Sequence, residues 1–295
     1  MRALGGIVLN TFREAVRQPF YFLLAAAGVA ALAITIWLPL FTFHNDTDMY
    51  KDVGLSFVLL FVLLAGLLAA ATGVAREVED RTALTILSKS VGRWQFVLGK
   101  YLGAMASVLA AAAALGVVLA AAVYYRVALD AGVLERGLTM GGAGKGVAEF
   151  EARQLNQALT VLPGIVLVVL QVGVLASVAT ALSTRLSVAA SVALSLGVFV
   201  VGHLTVFLES AVRASGGAIQ AATQGVLAVV PFLEIFNVNA KLSHTMLAPF
   251  GGGGPGAAEW AAVWAYVGWS ALYALVYAAA AVGAGVLLFR RRSLA

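Results

Sequence analysis

The sequence predicts an all-α membrane protein with six transmembrane helices, because its composition is apolar and its charges are unevenly placed. Hydrophobic residues make up 62% of the 295-residue chain and charged residues 11%, whereas soluble domains carry roughly a quarter charged residues. The mean hydropathy is +0.96. The charges cluster between long apolar runs, as expected where lipid rather than water surrounds those runs.

The first predicted element is an interfacial helix over residues 1–18. Its apolar residues recur at helical spacing: Leu4, Ile7, Val8, Phe12 and Val16. Arginines occupy positions between them, and such an amphipathic helix is typical of a segment that lies in the membrane interface. Pro19 then predicts a bend before the first span.

Six apolar segments follow, each long enough to cross a hydrocarbon core of roughly 30 Å. They are residues 20–43, 54–75, 96–124, 160–182, 187–208 and 261–289. The first run is longer than the roughly 7–15 residues of a signal-peptide core, so we expect it to be retained. An apolar piece interrupted by Pro231 is too short to cross, and it predicts a re-entrant or interfacial segment before the last span. The chain, 1–295, is thus expected to form a single transmembrane domain.

The distribution of Lys and Arg predicts that both termini are cytoplasmic. With the N-terminus inside, twelve of the nineteen Lys and Arg residues lie inside and seven outside, and an inside excess is the rule for short connections. Residues 76–95 then form a cytoplasmic loop, while 125–159 and 209–260 form extracytoplasmic loops. We expect a multi-pass protein of the cell (inner) membrane. This orientation explains the net charge of +5, so no nucleic-acid partner is predicted.

The loop between the second and third spans is crowded with charges. Asp80 could cap a short helix from Arg81 to Leu87, because a carboxylate accepts hydrogen bonds from unpaired backbone N–H groups. One interpretation is an ordinary charged loop that orients the helices. The other is a docking helix for a cytoplasmic partner. Lys89, Arg93 and Lys100 are expected to approach the cytoplasmic headgroups.

The segment from Glu77 to Gly103 resembles the signature of ABC-2 type transporter permeases. That signature combines acidic residues, a Thr, a Leu-rich turn, basic residues and a Gly-Lys-Tyr-Leu-Gly ending, supplied here by Glu77, Glu79, Arg81, Thr82, Ile86, Leu87, Ser88, Lys89, Arg93 and 99–103. Residues 11–17 and 289–292 are also similar to the ends of such permeases. Ser90 departs from the family, which often has Pro there. The most similar subgroup is the multicopper-enzyme-maturation class, which includes the nitrous-oxide-reductase maturation permease.

The resemblance implies the permease subunit of an ATP-driven ABC transporter, with export as the expected direction. Such permeases form a homodimer, or a pseudo-symmetric dimer with a related chain, and work in membrane lipid with two separate ABC ATPase subunits. ATP and Mg would be bound by the ATPase, and no cofactor by this chain. The resemblance also implies a set of ATPase-coupling residues: Glu77, Glu79, Asp80, Arg81, Thr82, Leu84, Leu87, Lys89 and Arg93.

The sequence agrees with a separate ATPase, because its nearest match to a phosphate-binding loop is poor. A P-loop requires Gly-x-x-x-x-Gly-Lys followed by Ser or Thr. Residues 141–146 read Gly-Gly-Ala-Gly-Lys-Gly, with Thr139 in place of the first Gly and Gly146 in place of the hydroxyl residue. This chain is therefore not expected to be an enzyme.

Two further pairs of residues are candidates for a role. Gln171 and His203 are the main polar residues within spans, and they either line a substrate pathway or are satisfied packing groups. Gly99 and Gly103 form a small-residue face at the base of the third span, which suits packing within the chain or against a second copy. The three histidines lack metal-ligand spacing, so no metal site is predicted.

Two other functions stay open at the level of sequence. One is a secondary transporter driven by an ion gradient, although such proteins usually place paired charges in mid-membrane. The other is a non-transporting membrane protein through which a partner ATPase acts on extracytoplasmic proteins. The long outer loops are compatible with that second function.

Overall fold

The described part of the chain, in this computed structural model, comprises residues 2–37, 46–79, 92–135, 154–205, 230–237 and 257–290. Seven long α-helices, one short 3₁₀ helix and a helical turn at 154–159, which leads into the helix Val161–Ser183, are described there. The helices are α1 (Arg2–Arg17), α2 (Pro19–Trp37), α3 (Asp46–Glu79), α4 (Arg93–Glu135), α5 (Val161–Ser183), α6 (Val188–His203), the 3₁₀ helix Leu233–Phe236 and α7 (Ala257–Arg290). No strand occurs within these ranges, so the predicted all-α class is confirmed for them.

Within the described ranges, five apolar stretches of helix are long enough to cross a membrane. They are Pro19–Ile36, Met49–Glu77, Arg93–Val127, Gln154–Ser183 and Trp260–Arg290. The multi-pass membrane class is therefore supported. The sixth predicted span, 187–208, corresponds to α6, whose 16 residues rise about 24 Å, short of a core of roughly 30 Å. The count of six spans stays a prediction.

Helix α4 extends beyond the apolar segment that predicted it. Its 43 residues rise about 65 Å, twice the thickness of a hydrocarbon core. The helix continues through residues 125–135, inside the segment predicted as an outer loop, because intrahelical hydrogen bonds do not depend on where lipid ends. Hydropathy predicted the apolar part of α4, residues 96–124, and did not predict that the helix continues to Glu135.

The α1–α2 bend lies where Pro19 predicted it. Helix α1 ends at Arg17, Gln18 is a bend, and α2 begins at Pro19. Proline suits the first position of a helix, because its fixed φ fits the helix and its missing N–H would have no intrahelical partner. The Tyr21 N–H donates to the Gln18 carbonyl at 3.0 Å. The predicted interfacial helix is thus a separate element from the first span.

Helices α3, α4 and α5 form the centre of the bundle, and α2 and α7 lie at its edges. In the most apolar stretch of each candidate span, 56%, 50% and 67% of the residues are buried for α3, α4 and α5. The corresponding fractions for α2 and α7 are 17% and 28%. The core between these helices consists of branched apolar side chains, among them Val62, Leu67, Val108 and Leu175, and of alanines.

Gly66 of α3 lies where α4 and α5 both pack against α3. A Cβ atom there would lie 2.7 Å from Val108 Cγ2 of α4 and 2.8 Å from Val172 Cγ1 of α5. Small residues allow membrane helices to approach this closely, and dispersion contacts then hold them together.

A Pro-centred segment, residues 230–237, packs against α5, α6 and α7. Leu233 and Phe236 are fully buried. The Tyr266 hydroxyl donates to the Ile235 carbonyl at 2.6 Å, and the Tyr273 hydroxyl accepts from the Phe232 N–H at 2.8 Å. Irregular backbone at membrane depth requires such partners. The segment is buried against protein, as expected, and whether it is re-entrant or interfacial stays a prediction.

Gly66→Ala should destabilise the bundle, because the added methyl group overlaps two branched side chains. We expect a loss of about 1–3 kcal/mol, measured as a lower midpoint of thermal unfolding for the detergent-purified protein. Gly283→Ala is the matched control, since a Cβ at Gly283 meets nothing within 4 Å. Equal midpoints for the two variants would contradict the packing described for Gly66.

Candidate functional site: the base of the coupling loop

The predicted coupling residues fall into two groups in the structure. Glu77 and Arg93 are described with their side chains, and they lie at the two ends of the loop. Glu79 is the last residue of α3, and nothing is described of its side chain. The remaining predicted residues lie outside the described part of the chain: Asp80, Arg81, Thr82, Leu84, Leu87 and Lys89. The predicted docking helix therefore stays a prediction, while its two anchors can be examined.

The first anchor is an ion pair around Lys100, in the second turn of α4. Its ammonium Nζ lies 2.6 Å from Glu77 Oε1 at the end of α3 and 3.7 Å from Glu14 Oε2 of α1. Lys100 is 2% exposed, Glu77 16% and Glu14 36%. A buried ammonium group requires a paired charge. The cluster therefore fixes three helices to one another where the loop begins.

The position of Lys100 corrects one prediction. It was expected to approach the headgroups, but its side chain points into the junction of α1, α3 and α4. Basic residues at the edge of a span usually face headgroups, and Lys100 does not because two carboxylates lie within the protein at the same level. The glycines on either side of it, Gly99 and Gly103, were the available sequence signal that this turn is packed.

The small face of α4 receives α1. A Cβ at Gly99 would lie 2.8 Å from Ile7 Cγ2, and one at Gly103 would lie 2.5 Å from Thr11 Cβ and 2.9 Å from the Val8 carbonyl oxygen. In the structure the two glycines therefore contact the protein's own interfacial helix. This close approach brings Glu14, one turn further along α1, within reach of Lys100.

The second anchor is the start of α4, where the loop ends. The Gln95 side chain accepts a hydrogen bond from the Gly92 N–H at 3.0 Å. This is half of a capping box, in which the third helical residue reaches back to the backbone of the N-cap residue. The polar first turn of α4 is thereby fixed before the apolar part begins.

The same turn of α4 contacts the C-terminal end of α7. Arg93 Nη1 donates to the Arg290 carbonyl at 2.8 Å, and the Phe96 ring stacks on the Phe289 ring at a centroid distance of 5.6 Å. The last carbonyls of a helix have no intrahelical partner and carry partial negative charge, so an arginine is well placed there.

Arg185 holds α7 from the other side. It lies in the short turn between α5 and α6, and its Nε and Nη2 atoms donate to the Leu288 carbonyl at 3.1 Å and 2.7 Å. We call Arg93 and Arg185 together the arginine clamp. Neither contact could be found from sequence, because both acceptors are backbone carbonyls, which every residue has.

Gln171 and His203 are brought together by α5 and α6. The Gln171 amide nitrogen and His203 Nε2 lie 3.1 Å apart, and His203 Nδ1 lies 2.9 Å from the Phe199 carbonyl. Because a carbonyl can only accept, the hydrogen-bond network assigns the proton of the neutral ring to Nδ1, and Gln171 then donates to Nε2. Gln171 is buried and His203 is half-buried. Each side chain thus gives the other a hydrogen-bond partner. A role of the two residues in a substrate pathway stays a prediction.

A comparison with family models assigns the chain. Residues 11–294 match the model described as "ABC-2 family transporter protein". The chain belongs to the ABC-2 transporter family. A search of curated proteins finds none that matches, so the subgroup suggested by the sequence stays a prediction.

Family membership supports a multi-pass transmembrane domain of the permease type. Permeases of the ABC-2 family generally work with ABC ATPase subunits, and the chain fits the non-enzymatic membrane part of such a transporter. The match includes α1 from Thr11 onward, the loop base and α7, so the ion pair of Lys100 with Glu77 and Glu14 and the contacts of Arg93 and Arg185 lie within the family domain.

Lys100→Met should destabilise the protein strongly, because it leaves the Glu77 carboxylate without its cation in a mostly buried place. We expect a loss of about 3 kcal/mol, measured as the midpoint of thermal unfolding in detergent. Glu14→Gln is the control and should cost less than about 1 kcal/mol, since Glu14 is partly exposed and more distant. A larger effect for Glu14→Gln than for Lys100→Met would contradict this account.

Proposed function

We propose that this ABC-2 family chain is the permease subunit of an ATP-driven exporter and works as a homodimer with two separate ATPase subunits. The observation that carries the proposal is the anchoring of the loop between α3 and α4. One end is tied to α1 through Lys100, and the other end is tied to α7 through Arg93. A force on this loop would therefore act on four helices at once.

The loop residues 76–95 are proposed to contact the ATPase. Closure of the ATPase on ATP would push the segment, and the rigid helices α3 and α4 would carry the displacement to the other side of the membrane. Such a mechanism needs a packed element with two discrete arrangements. ATP and Mg would be held by the partner, which agrees with the lack of a P-loop in this sequence.

The orientation proposed here places both termini and the loop in the cytoplasm. Lys100, Arg93 and Arg185 lie at the same end of the bundle, because all three contact the loop base or the C-terminal end of α7. The excess of basic residues on that side favours a cytoplasmic location. An ATPase in the cytoplasm could then reach the loop.

A face of α6 supports the proposed homodimer. Ala189, Ala193 and Gly197 follow one another at intervals of four residues and are exposed, and a Cβ at Gly197 would meet nothing within 4 Å. Small residues at this spacing permit close contact with a second membrane helix. We propose that a second copy packs here.

The Gln171–His203 pair would then lie beside the dimer axis. From the cytoplasmic ends of their helices, Gln171 lies about 20 Å and His203 about 23 Å along the axis, in the outer half of the hydrocarbon core. His203 is half-buried and lies six residues beyond Gly197 on α6. We propose the pair as a polar element of the pathway between the two copies.

Glu79→Lys combined with Asp80→Lys should abolish stimulation of the partner ATPase, because it reverses the charge of the proposed docking segment. The measurement is ATP turnover of the reconstituted complex, with the ATPase taken from a neighbouring open reading frame. Membrane insertion should be unchanged. Asp46→Lys with Asp48→Lys is the matched control, since it makes the same charge change at the other end of α3. Unchanged turnover in the Glu79/Asp80 variant would contradict the proposed docking.

Arg93→Gln combined with Arg185→Gln should uncouple α7 from the ATPase, because it removes the clamp on the last carbonyls of that helix. The chain has no cysteine, so Trp269→Cys, at a position 71% exposed on α7, can carry a single spin label per copy. In the complex, we expect an ATP-dependent change in the distance between the two labels, reduced by half or more in the clamp variant.

The control for the clamp variant is Arg13→Gln with Arg17→Gln, which removes two exposed arginines that do not touch α7. It should keep the full ATP-dependent distance change. Loss of the change in the control as well would show that charge, and not the clamp, is responsible. If each complex contains a single copy of the chain, no distance between two labels will be measured, and the homodimer will be contradicted.

A flux measurement separates the proposal from an ion-driven transporter. In vesicles with a collapsed ion gradient, an ATP-driven permease keeps its flux when ATP is supplied on the ATPase side. Flux that depends on the gradient and ignores ATP would favour the secondary transporter, and ATP turnover without any flux would favour the non-transporting partner.

A further inference from the structure

The end of the bundle opposite the loop base is held together by side chains that reach from one helix to the next. Lys51 precedes Glu77 on α3 by 26 residues, which is about 39 Å along the helix. Arg126 follows Arg93 on α4 by 33 residues, which is about 50 Å. Both lengths exceed a hydrocarbon core of roughly 30 Å. Exposed polar contacts at this far end can therefore exchange with water.

Two contacts at the far end join α2 firmly to α4 and α3. Arg126 is 9% exposed, and its Nη1 atom donates to the Ile36 carbonyl in the last turn of α2 at 2.8 Å. Tyr50 is fully buried, and its hydroxyl donates to the Leu32 carbonyl at 3.2 Å. A charged donor forms a hydrogen bond about twice as strong as a neutral one, and separating a buried charge from its partner is costly. We call the far ends of α2, α3 and α4 the frame.

The 154–159 turn is held to this frame by two amide side chains. Gln154 is buried, and its Nε2 atom donates to the Tyr124 carbonyl of α4 at 3.4 Å, longer than the usual N–H···O distance of roughly 2.7–3.2 Å. The Gln157 side-chain oxygen accepts a hydrogen bond from Lys51 Nζ of α3. Gln157 and Lys51 are both half-buried, so water can replace either partner. Both glutamines are neutral, so the turn carries no charge that must stay paired.

The turn is also set off from α5 by a break in the helical hydrogen bonds. Pro163 has no N–H, so it cannot donate to the carbonyl of Leu159, as the fourth following residue of a continuous helix does. Thr160 closes the turn locally, because its N–H donates to the Asn156 carbonyl at 3.1 Å and its hydroxyl to the Gln157 carbonyl at 2.7 Å. Thr160 therefore marks a point about which the turn can rotate without losing its own hydrogen bonds.

We propose that the 154–159 turn is a latch, which docks on the frame through Gln154 and Gln157 and undocks by rotation about Thr160, while α2, α3 and α4 stay joined. Undocking frees the far end of α5, the helix that carries Gln171 of the proposed pathway. The place of the latch in transport rests on the proposed function. Docking and undocking are properties of this chain alone, and they can be measured without a partner.

Distances between two spin labels in one copy test the latch. The chain has no cysteine, so Leu155→Cys on the turn, Tyr125→Cys on α4 and Ile34→Cys on α2 can be labelled in pairs. The native residues are 55%, 56% and 61% exposed. The latch pair is 155 with 125, and the frame pair is 34 with 125. Labelled copies are diluted with unlabelled chain, so that distances between copies do not contribute.

In vesicles that contain the chain alone, Gln154→Leu with Gln157→Leu should broaden the distance distribution of the latch pair, because it removes both contacts and keeps the side-chain volume. A rotation of about 30° would move residue 155 by roughly 4 Å, since it lies about 7.5 Å along the helix from Thr160. The frame pair should not change. A latch-pair distribution as narrow in this variant as in the native chain would overturn the proposal.

The matched control in the same vesicles is Gln18→Leu. Gln18 donates from its amide nitrogen to the Thr72 hydroxyl at 3.4 Å, so the change removes an amide contact of the same length at the loop base. It should alter neither pair. Broadening of the latch pair by Gln18→Leu would also overturn the proposal, because loss of any amide contact would then have the same effect.

In the complex with the ATPase, ATP should shift the latch pair by roughly 4 Å and leave the frame pair unchanged. If ATP turnover is stimulated and the latch pair does not respond, or if both pairs shift equally, the latch is overturned and the proposed function stands. If no turnover is stimulated, the proposed function is contradicted, and the measurements on the chain alone decide whether the latch exists.

Discussion

The ion pair between Lys100 and Glu77 is the contact on which the loop-base end of this bundle depends. A lysine that is 2% exposed within a membrane protein is stable only if anionic groups lie beside it, because desolvating an unpaired ammonium group costs several kcal/mol. The carboxylates come from α1 and α3, so neutralising one charge on α4 holds the ends of both helices against it. Packing alone would let these helices slide, whereas an ion pair at 2.6 Å holds them in register.

Family membership relates this junction to the transmission of force into the membrane domain. In an ABC-2 permease the energy source is outside the membrane domain, so force has to enter through a contact surface. The structure shows what that surface would be attached to: α3 and α1 at one end of the loop, and α4 and α7 at the other. The arginine clamp extends the connection to the turn between α5 and α6 through Arg185. The loop-base end is therefore held together by polar contacts, while the interior is held by apolar packing around Gly66.

Much of the fold could be predicted from the sequence, because apolar length and helix-breaking residues are local properties. The α1–α2 bend follows from Pro19, and the central spans follow from their hydropathy. The site could be predicted less well. Glu14 and Lys100 are far apart in the sequence, and a charge at the edge of a span has the same pattern whether it faces headgroups or protein. Gln171 and His203 were each recognised as polar residues in spans, yet their pairing depends on how α5 and α6 pack.

The length of α4 has a consequence for any motion that begins at the loop. The helix rises about 65 Å, and it rests against α1 near one end, at Gly99 and Gly103. If this contact serves as a pivot, a tilt of about 5° would swing the far end by roughly 5 Å, while Lys100 would move by less than about 1 Å. A small rotation at the loop end would thus become a displacement of roughly 5 Å at the opposite end of α4, without breaking the ion pair that holds the pivot.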